Sequence, residues 1–241
     1  MDKSVEIVFF RIAFGVERIA FSLDARRNTP DEKKMIPVKI PQFIRWFFPS
    51  VLWKGRNNAR DIYLTFDDGP TPRVTEEVIE LLAQYNAKAT FFCIGSRVES
   101  YPTIYNQILE QGHAVGNHTQ NHLKGLKSSN KVYFNDVEKA ATFIDSNLFR
   151  PPYGKMKWRQ YLELKKRYKV VLWDIIPGDF VASNSAVDII ESIMKNVSNG
   201  SIIVLHDSDK CANKILKVLP VILDKLSKKG YQFKALTSNK L

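Results

Sequence analysis

From Asp61 onward the chain alternates short β-branched apolar runs with longer stretches of helical periodicity, and this alternation constrains the fold most. Residues 62–66, 89–94, 170–173 and 201–205 read as strands, with shorter ones near 114–115, Phe149 and 233–235. Helical spacing covers 75–85 with Thr75 as its cap, 104–111 ended by Gly112, 132–146, 159–166, 186–197, and 214–229 ended by Gly230. Strands separated by helices do not pair as tight hairpins; each crossover brings the chain back parallel to the strand before it. The alternation predicts an α/β fold, and in barrels of this kind active sites gather at the carboxyl ends of the strands.

Polar residues cluster at those ends. The run Ile62–Phe66 stops at Asp67-Asp68-Gly69-Pro70, where two neighbouring carboxylates can turn into one pocket. The same four residues are also ordinary turn chemistry. Two of the chain's four histidines lie in His118-Thr119-Gln120-Asn121-His122. A spacing of four predicts both imidazoles on one face of a helical turn, where they can hold a metal ion with Asp67 or Asp68 as third ligand. Two imidazoles and one carboxylate leave open positions for water, unlike a closed structural zinc site. Asn117-His118-Thr119 also fits the N-glycosylation pattern, a false match if His118 is a buried ligand. Further on, Arg150-Pro151-Pro152-Tyr153-Gly154 puts a cation beside a stiff turn. The strand over 170–173 is followed by Asp174 and Asp179, and the strand over 201–205 delivers His206. Taken singly, Arg150 suits a plain surface loop and His206 a structural role.

In order, these segments resemble the signature of the polysaccharide deacetylases, the NodB-homology domain of carbohydrate esterase family 4, over roughly Asp61 to the C-terminus. The resemblance implies a distorted, incomplete (β/α) barrel and a metal-dependent hydrolase removing N-acetyl groups from N-acetylglucosamine-containing polysaccharide such as peptidoglycan or a chitin-like glycan. By the same resemblance Asp68, His118 and His122 bind one divalent metal, Zn2+ first, with Co2+ or Ni2+ as alternatives. Asp67 is then the general base, Arg150 holds it ionised, and His206 is the general acid paired with Asp179, Asp174 being the second choice of partner. Tyr153 contributes its backbone N–H to the oxyanion, and Leu205 lines the acetyl pocket. Trp173 and Phe180 are expected in the sugar-binding cleft. Phe180 departs from the family's usual Trp, which keeps an apolar wall but removes an indole donor. His113 is left with a structural role. An O-acetyl esterase acting on acetylated xylan, or a non-catalytic glycan-binding protein, would use the same scaffold.

The chain has 241 residues, of which 44% are hydrophobic and 25% charged, suiting a globular domain with a substantial core. Two cysteines, Cys93 and Cys211, build no disulfide framework, and Cys93 falls in a predicted buried strand. Residues 59–241 are assigned to the deacetylase-like domain and 1–58 to an N-terminal extension. Within the extension Val5, Val8, Ile12, Val16, Ile19 and Leu23 form an aliphatic helical stripe, 26–34 a polar linker, and 41–49 an aromatic segment expected to cover the open side of the barrel. Arg11, Glu17 and Arg18 oppose a membrane span, because such charges cost ~2.5–3.5 kcal/mol each at mid-bilayer on insertion scales. The helix is expected to pack on the domain, with peripheral membrane contact or self-association as alternatives. No export signal is recognised, so a cytoplasmic or membrane-associated location is expected over secretion. The net charge of +11 suits an anionic partner. Nucleic acid is excluded by the lack of any binding motif.

Overall fold

The computed structural model describes residues 45, 48–55 and 60–236. The predicted helix over 5–23, the linker over 26–34, most of the aromatic segment and the boundary at 58 lie outside the described residues.

Seven strands run in chain order: β1 Asp61–Asp67, β2 Thr90–Cys93, β3 Ala114–Asn117, β4 Leu148–Phe149, β5 Lys169–Val170, β6 Ile202–His206 and β7 Gln232–Phe233. Among the described residues, seven α-helices accompany them: α1 Val74–Gln84, α2 Gly95–Ser100, α3 Pro102–Glu110, α4 Asn130–Ala141, α5 Trp158–Leu164, α6 Ala186–Asn196 and α7 Ala212–Lys228. The sheet order is β5-β4-β3-β2-β1-β6, with β7 beside the start of β1, and every strand pair is parallel. The sheet curls toward a barrel, and among the described residues isolated bridges span its opening: Leu52 pairs with Val171, Lys54 with Ser201, and Ile175 with Ile203. The expected distorted, incomplete (β/α) barrel is the observed architecture.

Alternation along β1 sorts the core. Ile62, Leu64 and Phe66 join Ile203 and Leu205 of β6 against α1 and α7, forming the layer between sheet and helices. Tyr63, on the opposite face, meets Phe92, Leu148, Val171 and Ile202 inside the barrel. Because period two is rigid, Thr65 and Asp67 share the inner face with Tyr63. A third cluster packs α4 and α5 through Tyr133, Val137 and Tyr161 onto Phe149 and Val170.

Several predicted boundaries shift for local reasons. Arg73 caps α1, its backbone N–H bonding the Glu76 carboxylate at 2.7 Å, so Thr75 lies inside the helix rather than at its cap. Ser129 caps α4 by accepting from the Val132 N–H, which starts that helix two residues before the predicted start at Val132. Helix α2, only six residues long, is too short to show an apolar period. His113 is buried, accepts from the Ala89 N–H at 3.2 Å and meets the Phe91 ring edge-on. Burial lowers its pKa to about 4, so it is a neutral packing group.

Residues 48–55 use their aromatic and apolar side chains to bind this frame. Phe48 meets Trp158 and Tyr161 edge-on, while Val51 and Trp53 are buried in the α4/α5 cluster. The Trp53 indole donates to the Phe48 carbonyl at 3.3 Å. Trp53→Ala should lower unfolding free energy by about 3 kcal/mol, read by denaturant titration, because it removes a buried ring at the seam of the barrel.

Candidate active site

Strand register brings the polar residues level. Asp67 is opposite His206 across β1 and β6, Cys93 opposite Asn117 across β2 and β3, and Asn117 opposite Phe149 across β3 and β4. The residues that follow Asn117 and Phe149 are His118 and Arg150, so base, imidazole and guanidinium emerge from one carboxyl edge.

Arg150 is fully buried. One terminal nitrogen donates to Asp67 Oδ1 at 2.6 Å and Thr65 Oγ1 at 2.8 Å, and the other to the Leu172 carbonyl at 3.0 Å. Nε donates to the Val171 carbonyl, and the guanidinium lies 4.0 Å over the Phe92 ring. Burial alone would raise the Asp67 carboxyl; Arg150, with His118 and His206, outweighs it and holds the pKa below the ordinary aspartate value. Asp67 is therefore an ionised, oriented carboxylate.

Asp68 occupies the left-handed region at φ 81°, which turns its side chain away from that of Asp67. Its Oδ1 is 3.2 Å from His122 Nε2 and 3.7 Å from His118 Nε2. That oxygen is buried and makes no hydrogen bond among the described residues. The Nδ1–H of His118 donates to the Arg150 carbonyl at 2.7 Å, which fixes the ring with Nε2 toward Asp68. Burial, with His118 beside it, lowers the His122 pKa to about 4, so the His122 imidazole is neutral. A buried carboxylate oxygen without a donor, facing two imidazole nitrogens, fits a divalent cation, and all three ligand atoms lie within 4.8 Å of one another. The predicted helical turn is absent: His118–His122 is a loop with Thr119 at φ 65° and His122 at φ 53°. The rings converge, 5.1 Å between centroids, through left-handed backbone rather than helical pitch.

His206 Nδ1 donates to Asp179 Oδ1 at 3.0 Å, and its backbone N–H donates to Asp179 Oδ2 at 2.7 Å. Burial opposes the imidazolium, but Asp179 outweighs it and raises the pKa to about 9. The second-choice partner Asp174 is elsewhere; it is fully buried, pairs with Arg45 and accepts from Ser201 Oγ at 2.6 Å. Trp173 packs against Gly154, where an added Cβ would come within 2.3 Å of the indole. Tyr153, at φ 60° and 52% exposed, lays its ring 4.7 Å from that of His122. Phe180, 47% exposed, meets His206 edge-on at 5.2 Å.

Leu205 requires a correction. Its side chain is fully buried in the layer beneath the helices, beside Phe66 and opposite to the face that carries His206. An acetyl-pocket residue on β6 must share the His206 face, and period two assigns that place to Val204, opposite Thr65. Sequence reasoning also passed over Asp207 and Thr75. Thr75 Oγ1 accepts from the Thr71 N–H at 2.7 Å and donates to Asp207 Oδ2 at 2.6 Å. The Asp207 carboxylate fills the space under Gly69, where a Cβ would come within 2.2 Å of it. Burial raises the Asp207 pKa to about 7, against the Thr75 hydrogen bond. The signal available was an acid directly after His206 in an apolar strand; its partner is 132 residues away and leaves no local pattern.

Residues 54–171 match the polysaccharide deacetylase family. A peptidoglycan-N-acetylglucosamine deacetylase of Bacillus cereus is 38% identical over 190 residues, covering 76% of this chain and 89% of that protein. The peptidoglycan-N-acetylmuramic acid deacetylase PdaC of Bacillus subtilis is 34% identical over 185 residues, 73% of this chain and 38% of that longer protein. Among solved structures, the Bc1960 peptidoglycan N-acetylglucosamine deacetylase superposes with a TM-score of 0.76 at 29% identity, over 82% of this chain and 95% of its own. With the motif order, the curled parallel sheet and these likenesses in agreement, the chain belongs to the polysaccharide deacetylase family.

Proposed function

We propose that this enzyme hydrolyses the N-acetyl amide of N-acetylglucosamine units in a cell-wall glycan, peptidoglycan above all, giving acetate and a free amine. One observation carries the reading: an ionised Asp67 and a protonated His206 face each other in register beside the Asp68, His118 and His122 cluster. The relatives named for peptidoglycan deacetylation support the choice of polymer.

An amide is a poor electrophile with a poor leaving group, so three things are required: an activated water, a place for the carbonyl charge and a proton for the amine. A divalent cation held by Asp68, His118 and His122 would supply Lewis acidity toward water and the acetyl oxygen; two imidazoles and a carboxylate suit zinc first, with cobalt or nickel as substitutes. Asp67 takes the proton of the attacking water, and Arg150 keeps that carboxylate ionised and aimed. The Tyr153 backbone N–H donates to the carbonyl oxygen as it gains charge. Val204 walls the acetyl methyl group. His206 delivers its proton to the departing nitrogen, with Asp179 holding the ring. Phe180 and Tyr153 present exposed aromatic faces for the sugar on either side.

Acetate should be released from peptidoglycan or N-acetylglucosamine oligomers, vanish after chelation and return with added zinc. Release from acetylated xylan alone would refute the amide reading in favour of an O-acetyl esterase. Asp67→Asn should cut kcat by about 10²–10⁴-fold while the metal stays bound, and Asp68→Asn should lose the metal by elemental analysis. Metal loss in the first variant, or retention in the second, would reverse the two roles. Protonated His206 persists until pH rises through about 9, well above the ordinary 6.5, because Asp179 favours the charged ring. Asp179→Asn removes the largest charge opposing burial and leaves only Asp67 and Asp68 to favour the imidazolium, so the alkaline limb of kcat/KM should move down from about pH 9. An unmoved limb would show that His206 is not the acid.

A further inference from the structure

The basic residues are unevenly placed around the site. From Leu123 to Asn135 the chain carries Lys124, Lys127 and Lys131 with no acid before Asp136. From Pro151 to Leu162 it carries Lys155, Lys157 and Arg159 with no acid before Glu163. The two segments pack together. Gln160 Nε2 donates to the Gly125 carbonyl at 3.1 Å, Lys157 Nζ donates to the Ser128 carbonyl at 2.7 Å, and a Cβ on Gly125 would lie 2.9 Å from Met156 Cα. Each begins beside the catalytic cluster, one next to His122 and the other with Tyr153. Lys124 Nζ sits 4.9 Å over the Tyr153 ring, whose other contact is His122. The lysine is therefore held at the mouth of the site by an aromatic face rather than by a carboxylate.

Among the described residues, Lys124, Lys127 and Lys131 make no ion pair with a carboxylate. Lys131 lies in the first turn of α4, which has no acid, so its charge opposes the helix dipole, where an acid would be favoured by about 0.3–1 kcal/mol. On the Phe180 side, Asp179 is paired with His206, and Lys214 is tied to the Val181 and Ala182 carbonyls. Lys124 and Lys127, which pair with no carboxylate among the described residues, belong to the opposite lip, formed by the loop after His122 and the turn after Tyr153.

We propose that this lip, centred on Lys124 and Lys127, binds carboxylates that the glycan itself carries on lactyl or peptide substituents next to the reacting sugar. The inference rests on the deacetylase reading and refines it: the preferred substrate is an acidic glycan rather than a neutral N-acetylglucosamine polymer. The occupant is part of the substrate, because Lys124 shares the Tyr153 ring with the metal-ligand side of the site. A cationic cleft wall raises the local concentration of an anionic polymer and loses that advantage in salt.

The test compares peptidoglycan strands freed of phosphate polymers, the same strands with carboxyl groups capped as methylamides, and a neutral N-acetylglucosamine oligomer. For the intact chain, kcat/KM should be highest on the uncapped strands and should fall with added salt on that substrate alone. The double variant Lys124→Gln with Lys127→Gln should lose about tenfold on uncapped strands, chiefly through KM, and change little on the other two. Replacing both lysines by arginine should restore the preference. Cosedimentation with capped and uncapped strands reads the same preference without turnover. Equal loss on all three substrates, or none on any, would overturn the lip, as would equal binding to the two kinds of strand. Charge-selective binding with no acetate release from any substrate would keep the lip and refute the deacetylase reading instead.

Discussion

Burying a guanidinium away from water is tolerable only where its charge and its donors are matched, and Arg150 meets that demand with groups from three strands. Asp67 and Thr65 come from β1, the Val171 and Leu172 carbonyls from the chain just beyond β5, and the Phe92 face from β2. Satisfying one side chain thus fixes where these strand ends stand relative to one another. The Arg150 carbonyl accepts from His118, so one residue orients the base through its side chain and a metal-site imidazole through its backbone. Removing either half of the Arg150–Asp67 pair would strand a buried charge, which typically costs about 3–5 kcal/mol.

The layers follow from the same strands. Residues pointing outward from β1 and β6 bury against α1 and α7, and those pointing inward fill the barrel up to its carboxyl end, where polarity replaces them. Residues in αL that are not glycine concentrate at that end: Asp68, Thr119, His122 and Tyr153 all have φ between 53° and 81°. Such conformations cost of order 1–3 kcal/mol each and persist only where the surroundings over-determine them. Here the determinants are visible: Asn117 Oδ1 accepts the Thr119 N–H at 2.8 Å, and Asp207 with Thr75 fills the space beneath Gly69.

Features with a local signal were legible in the sequence. Alternating β-branched runs gave the strands to within a few residues, and the polar residues at their ends gave the cluster at Asp67, Asp68, His118, His122, Arg150 and His206. What failed was geometry that spacing does not encode. His118 and His122 looked helical because four residues make one turn, yet two left-handed residues bring the rings together in a loop. The family resemblance implies Leu205 in the acetyl pocket, but adjacent residues on a strand face opposite ways, and Val204, two residues before His206, is the one on its face. Only the family resemblance ranks Asp179 ahead of Asp174, since their partners His206 and Ser201 both lie 27 residues further on and leave no local pattern. Asp207 follows His206 directly, but its role was not legible because it depends on a threonine in α1 and on a glycine with no side chain.

The two proton-transfer groups show how one buried pocket can push pKa values in opposite directions. Burial disfavours charge on both Asp67 and His206, and acting alone it would leave a neutral acid facing a neutral imidazole. Each is rescued chiefly by its own partner of opposite sign, Arg150 for the carboxylate and Asp179 for the imidazole. The result is a carboxylate ionised below its ordinary pKa and an imidazolium that keeps its proton to about 9, so both are charged across the neutral range, as the proposed base and acid require. Asp67 and His206 also stabilise each other's charged forms, because the carboxylate favours the imidazolium and the reverse holds. The two ion pairs are thus joined across the β1–β6 register, and a one-residue slip of either strand would turn its own charged group into the helix layer.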